Sequence, residues 1–151
     1  MLMENGAQLH KEQTASDAIV SGLFAGLLAG ILMGVYLLIY GLVADVAPAE
    51  LLLLFAQDQS ATPLSGGLLH LGVSAVYGIL FGLLYHWLPR RWLRKVPRWG
   101  LGLLYGLLLF GLAELLLIPG TDSALATIPP LQFGLAHLVY GLSLGFSMKA
   151  G

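Results

Sequence analysis

The chain contains no cysteine. That excludes disulfides, thiolate metal sites and cysteine nucleophiles. Charge is scarce as well: Asp, Glu, Lys and Arg make up 10% of the 151 residues, against 58% hydrophobic ones. A soluble domain carries about 25% charged residues. So little charge cannot cover a water-exposed surface, and the soluble helical domain is set aside. Catalytic signatures are also missing. No serine lies in a G-x-S-x-G elbow, and no phosphate loop is present. Ser74 and Ser143 sit in apolar runs, where a hydroxyl is expected to bond the preceding helical turn. Nucleic-acid binding has no support beyond one short basic loop.

What the chain has instead is four long apolar runs, at about 18–44, 64–88, 99–118 and 131–148. A helix needs about 20 apolar residues to cross about 30 Å of hydrocarbon. All four runs qualify as spans, and the first is long enough to tilt or protrude. Strands are excluded, because the runs do not alternate and an open edge cannot be satisfied in lipid. The first run is too long for a signal-peptide core of about 7–15 residues, and the segment before it carries Glu4, Glu12 and Asp17 against Lys11. Residues 1–17 read as a disordered cytoplasmic tail, with Ser16 or Asp17 as the helix cap. Residues 18–148 form a single transmembrane domain. A short helix at about 48–57, opened by Pro48 and Glu50, is expected on the outer face.

Orientation follows from the cations. The loop PRRWLRKVPR holds Arg90, Arg91, Arg94, Lys95 and Arg98. With four spans, Lys11 and Lys149 lie on the same side as that loop. The opposite loops contain Asp45, Glu50, Asp58 and Asp122 and no basic residue. The positive-inside rule then puts both termini in the cytoplasm. Trp87, Trp92 and Trp99 flank the basic loop as an interfacial belt would. Five cations there can also hold anionic lipid head groups, although setting topology requires no ligand.

The second and fourth runs match each other. PLSGGLLHLGVSAVYG (63–78) and PLQFGLAHLVYGLSLG (130–145) align without a gap, sharing Pro, Leu, Gly, Leu, His, Leu and Gly. The spans before them are both glycine-rich: Gly22, Gly26, Gly30 and Gly34 in the first, Gly102 and Gly106 in the third. Glycine at four-residue spacing lets helices approach closely. These six are read as packing glycines, and the four in the first span also leave room for a homodimer. The expected fold is all-α: a four-helix membrane bundle of two tandem hairpins, related by an axis along the membrane normal.

This internal repeat puts His70 and His137 at one depth. Each follows its proline by seven residues, about 10 Å into the helix at 1.5 Å per residue. Glu114, five residues before Pro119, has a similar depth, about 7–8 Å from the helix end. It also continues the row Gly102, Gly106, Phe110. Titratable groups inside spans are costly and turn to the bundle interior. Three chemistries are open to this candidate intramembrane site of His70, His137 and Glu114. They are a two-His-one-carboxylate metal site, axial ligation of a haem, and proton relay. No spacing marks a dedicated metal site. Against all three stands simple interhelical hydrogen bonding, to a backbone carbonyl or to a tyrosine, for which Tyr36, Tyr40, Tyr77, Tyr105 and Tyr140 supply hydroxyls. His86, beside Trp87, reads as interfacial.

The Gly-rich first span, His70, Pro119-Gly120 and His137-Leu-Val-Tyr-Gly together resemble a family of small four-span prokaryotic membrane proteins of unknown function. The resemblance implies the span count and names no activity or cofactor. On sequence alone the expectation is a non-enzymatic integral membrane protein. It would be an accessory or scaffold-like part of a membrane assembly, with the lipid bilayer as its first partner. The other reading is a cofactor-, metal- or proton-binding transport bundle built on the histidine pair.

Overall fold

The computed structural model describes residues 14–56, 60–89, 95–120 and 124–148. Among them there are helices and turns and no strand. The N-terminal tail up to residue 13, Arg90, Arg91, Trp92, Arg94, Asp58, Asp122 and Lys149 lie outside the described residues, so the readings made on them do too.

Helix α1 covers Ala15–Val43. Its cap is Thr14, whose hydroxyl accepts the Asp17 N–H at 3.2 Å while the Asp17 carboxylate accepts the Thr14 N–H at 3.0 Å. This capping box corrects the expected cap at Ser16 or Asp17. Asp17 serves better at the third helical position, where its carboxylate returns to the cap, so residues 15–17 are helical rather than tail. At the other end Asp45 takes a left-handed conformation, φ 56°, and the Val46 N–H reaches the Gly41 carbonyl at 2.8 Å. That closure ends the helix. A short helix α2, Pro48–Leu53, follows.

Helix α3 is Pro63–Trp87, opened by a second capping box from Thr62 and Ser65. Helix α4 is Arg98–Leu112 and continues through a π-turn, Ala113–Leu117, into Ile118–Gly120. A 3-10 turn at Ala124–Thr127 leads to helix α5, Pro130–Ser147. Helices α1, α3 and α4 are long and apolar enough to cross a membrane, with mean hydropathies of 2.3, 1.9 and 1.7. Helix α5, at 18 residues, falls short of that measure because it carries Gln132 and His137.

The helices pack in the order α3, α1, α5, α4: α1 touches both α3 and α5, and α4 packs on α5. The central pair supplies much of the core, with Ala25, Ala29, Met33 and Leu37 of α1 buried against Ala136, Tyr140 and Leu144 of α5. The outward faces are apolar instead of polar. Phe24, Leu28, Ile31, Ile39 and Leu42 of α1 are exposed, as are Leu104, Leu107 and Leu108 of α4. Such a surface suits hydrocarbon, where leucine and lipid tails are equally apolar.

The two outer seams use aligned residues. On α1–α3, a Cβ at Gly26 would lie 2.6 Å from the Ser74 carbonyl oxygen and 2.7 Å from the Gly78 Cα. On α4–α5, a Cβ at Gly102 would strike the Gly141 carbonyl and lie 2.8 Å from the Gly145 Cα. Ser74 and Gly78 are the residues that align with Gly141 and Gly145. Gly106 likewise lies against the His137 carbonyl. Four of the five glycines of α1 face α3: Gly22 and Gly26 its backbone, Gly30 the Ser74 side chain, Gly34 the His70 ring. The row is therefore used within the chain.

Candidate functional site

The arrangement leaves α3 and α4 on opposite flanks, and a cavity of about 450 Å³ lies between them. His70 of α3 and His137 of α5 both line it. Its deep wall is Met33 of α1 with Tyr140 of α5. Its sides are Leu69 and Val73 of α3 and Leu112 and Leu116 of α4, all of them also exposed to the outside. The cavity thus opens sideways, between two helices, on the apolar flank of the protein. At the end that carries α2 it is bounded by Phe55 and by Leu125 of the 3-10 turn.

Tyrosine hydroxyls close the structure beneath it. Tyr140 donates to the Ser74 carbonyl at 2.7 Å, joining α5 to α3. Tyr105 donates to the Tyr77 carbonyl at 2.9 Å, joining α4 to α3, and its ring sits 5.1 Å from that of Phe81. Ser74 donates to the His70 carbonyl at 2.8 Å, one helical turn back, as expected of a serine in an apolar helix. Among the described residues no buried side-chain nitrogen or oxygen lacks a partner.

The two histidines occupy aligned positions but bond differently. His70 Nε2 donates across the seam to the Gly30 carbonyl of α1 at 3.0 Å. His137 Nδ1 donates within its own helix to the Phe133 carbonyl at 2.9 Å. The difference lies in the seams. The Ser74 side chain fills the space beside Gly30, whereas Gly141 has no side chain and α4 comes directly against the His137 carbonyl at Gly106. Each ring is also held by a phenylalanine. Phe55 lies on His70 with centroids 4.5 Å apart and tilted by 38°, and Phe133 meets His137 edge-on at 4.5 Å.

Because a carbonyl only accepts, these bonds assign the tautomers. His70 carries its proton on Nε2 and keeps the Nδ1 lone pair. His137 carries its proton on Nδ1 and keeps the Nε2 lone pair. Interhelical bonding to a carbonyl was among the sequence readings, and His70 makes such a bond while His137 bonds within its own helix. The lone pairs left on the cavity-lining rings were not among those readings.

Glu114 does not join them. It is half-buried on the π-turn of α4 and is not among the residues lining the cavity, although its neighbour Ala113 is. The π-turn widens the helix at this point, so the row Gly102, Gly106, Phe110 does not carry on to Glu114. No cluster of three histidine, aspartate or glutamate residues exists among the described residues. Phe110 does reach the site, 6.0 Å from His137 between centroids. His86 lies at the far end of α3 beside the exposed Trp87. Of the described basic residues of the loop, Lys95 is exposed, and Arg98 donates to the Met148 carbonyl at 2.6 Å, tying the start of α4 to the end of α5.

Sequence reading missed one polar contact. Tyr36 of α1 donates to the Gln132 amide oxygen of α5 at 2.6 Å, across the central pair. A lone glutamine in an apolar run was the available signal. Comparison of the chain with protein-family models, with curated proteins and with solved structures returns no match.

Proposed function

We propose that the chain is a four-span integral membrane protein that holds a small lipid-soluble ligand between α3 and α4 and performs no chemistry on it. One observation carries the reading: two histidines from aligned segments line a single cavity that opens on the apolar flank. Ligand sites of about 300–1,000 Å³ with apolar walls and a few convergent polar groups are the usual form of a small-molecule pocket. A scaffold acting through packing alone has no need of such a space.

The cation pattern supports a prokaryotic inner membrane with both termini cytoplasmic, so that α2 and Phe55 face outward. Gln132 and His137 each have a partner in α5 or α1, which supports α5 as a fourth span despite its lower hydropathy. The matched glycine contacts of the two seams support a duplicated hairpin. The accessory role then becomes a specific one, that of a ligand-holding component. A larger assembly would meet it through its outward leucines. Metal binding and proton relay are less favoured, since among the described residues the cavity offers two imidazoles and no carboxylate.

The test is photolabelling in native membranes with a lipid-soluble diazirine. Saturable labelling concentrated on Val73, Leu112 and their neighbours, and lost when Val73→Trp with Leu112→Trp fills the cavity, is the expected result. Equal labelling of every outward leucine, unchanged by the filling variant, would overturn the proposal.

A further inference from the structure

We infer that the ligand is a neutral hydroxyl-bearing aromatic, of the hydroquinone or phenol class, entering sideways from the bilayer. This rests on the cavity reading above and names the chemistry the cavity selects.

Charge is excluded first. Among the described residues no Asp, Glu, Lys or Arg lines the cavity. A cationic ligand would find no counter-charge and an anionic one no cation, and unpaired charge at this depth is costly. With one ring nitrogen of each histidine donating to a carbonyl, a neutral imidazole keeps one lone pair.

Hydrogen-bond polarity comes next. The protons of His70 and His137 are committed to the Gly30 and Phe133 carbonyls. The Ser74 and Tyr140 hydroxyl protons are committed to the His70 and Ser74 carbonyls. What the two imidazoles still offer a ligand is one acceptor each. Tyr77, at the mouth, has a hydroxyl that both donates and accepts. A ligand hydroxyl can donate to one imidazole and accept from Tyr77. A ligand carbonyl can satisfy Tyr77 alone and leaves the imidazole lone pairs without protons.

Shape completes the argument. Phe55, Phe133 and Tyr77 line the cavity beside the two histidines, so a flat aromatic head meets ring faces and edges. The mouth between Leu69 and Val73 on one side and Leu112 and Leu116 on the other is apolar, which suits an alkyl or isoprenoid tail left in the lipid.

The experiment uses the full chain in lipid nanodiscs under anaerobic conditions. Three probes of one skeleton are titrated: a decyl-substituted benzohydroquinone, its quinone, and its dimethyl ether. The first can donate two hydrogen bonds and the others none. The expected result is saturable binding of the hydroquinone, about tenfold tighter than of the quinone or the ether, the upper end of what one net hydrogen bond contributes. His137→Phe is the cleaner variant, because the bond it loses lies within α5. It should bring the three probes to within about twofold of one another, with the helical circular-dichroism spectrum retained. His70→Phe should do the same.

Equal affinities for the three probes in the parent protein would overturn the hydroxyl assignment and leave the cavity reading standing. Absence of saturable binding by any of them, with diazirine labelling of the cavity intact, would overturn it equally. Loss of the diazirine labelling pattern would remove the cavity reading itself.

Discussion

Adding one methyl group to Gly26 should cost stability, and adding one to Gly72 should not. At Gly26 the new Cβ would fall 2.6 Å from the Ser74 carbonyl oxygen and 2.7 Å from the Gly78 Cα. Both are backbone atoms, so no rotamer change relieves the contact, and α1 must move off α3. Overpacking of this kind costs about 1–3 kcal/mol. The alanine returns about 0.5–1 kcal/mol of helix propensity. The net expectation for Gly26→Ala is a loss of about 1–2 kcal/mol. At Gly72 nothing lies within 4 Å of the added atom, and the same holds at Gly111. Gly72→Ala and Gly111→Ala should therefore be neutral or gain up to about 1 kcal/mol. Reversible unfolding in mixed micelles, followed by far-ultraviolet circular dichroism, measures all three. If Gly26→Ala matched the parent protein, or if Gly72→Ala fell as far as Gly26→Ala, the close α1–α3 approach would be refuted.

Two further outcomes are expected. Asp45 holds a left-handed backbone, so Asp45→Gly should stabilise by up to about 1 kcal/mol and Asp45→Val should destabilise, read in the same unfolding assay. The Tyr36–Gln132 bond should show a coupling energy of about 0.6–1.7 kcal/mol in a double-mutant cycle of Tyr36→Phe with Gln132→Leu. Additivity of the two variants would mean that the bond is not made.

The long helices were legible because a span is a one-dimensional signal: length and hydropathy mark it before any contact is known. The expected runs 18–44, 64–88 and 131–148 fall within about three residues of α1, α3 and α5 at each end. The shared cavity was partly legible as well, since the matched proline and histidine put His70 and His137 at one depth, and the structure brings both to one cavity. Depth alone says nothing about azimuth, which is why Glu114 was grouped with them. A π-turn leaves no mark in a run such as Ala113–Leu117, yet it decides where the following side chains point. The unequal bonding of the histidines depends on Ser74 against Gly141, a difference of one side chain in a seam that sequence alignment treats as conserved spacing. Phe55 reaches His70 only through the packing of α2 over the start of α3, where Gly66 admits the Leu52 backbone. No local pattern encodes that contact.

The central claim is that His70 and His137 face one cavity. Because the chain has no cysteine, an introduced pair is the only site a thiol reagent can bridge. The decisive measurement is intramolecular cross-linking of a His70→Cys, His137→Cys variant in native membranes, with a short lipid-soluble bis-maleimide. The control pairs His70→Cys with Leu104→Cys, which lies on the exposed outer face of α4. The account predicts a bridge in the 70–137 pair and none in the control. If both cysteines of the 70–137 pair react with a monofunctional maleimide and yet no bridge forms, the shared cavity is contradicted.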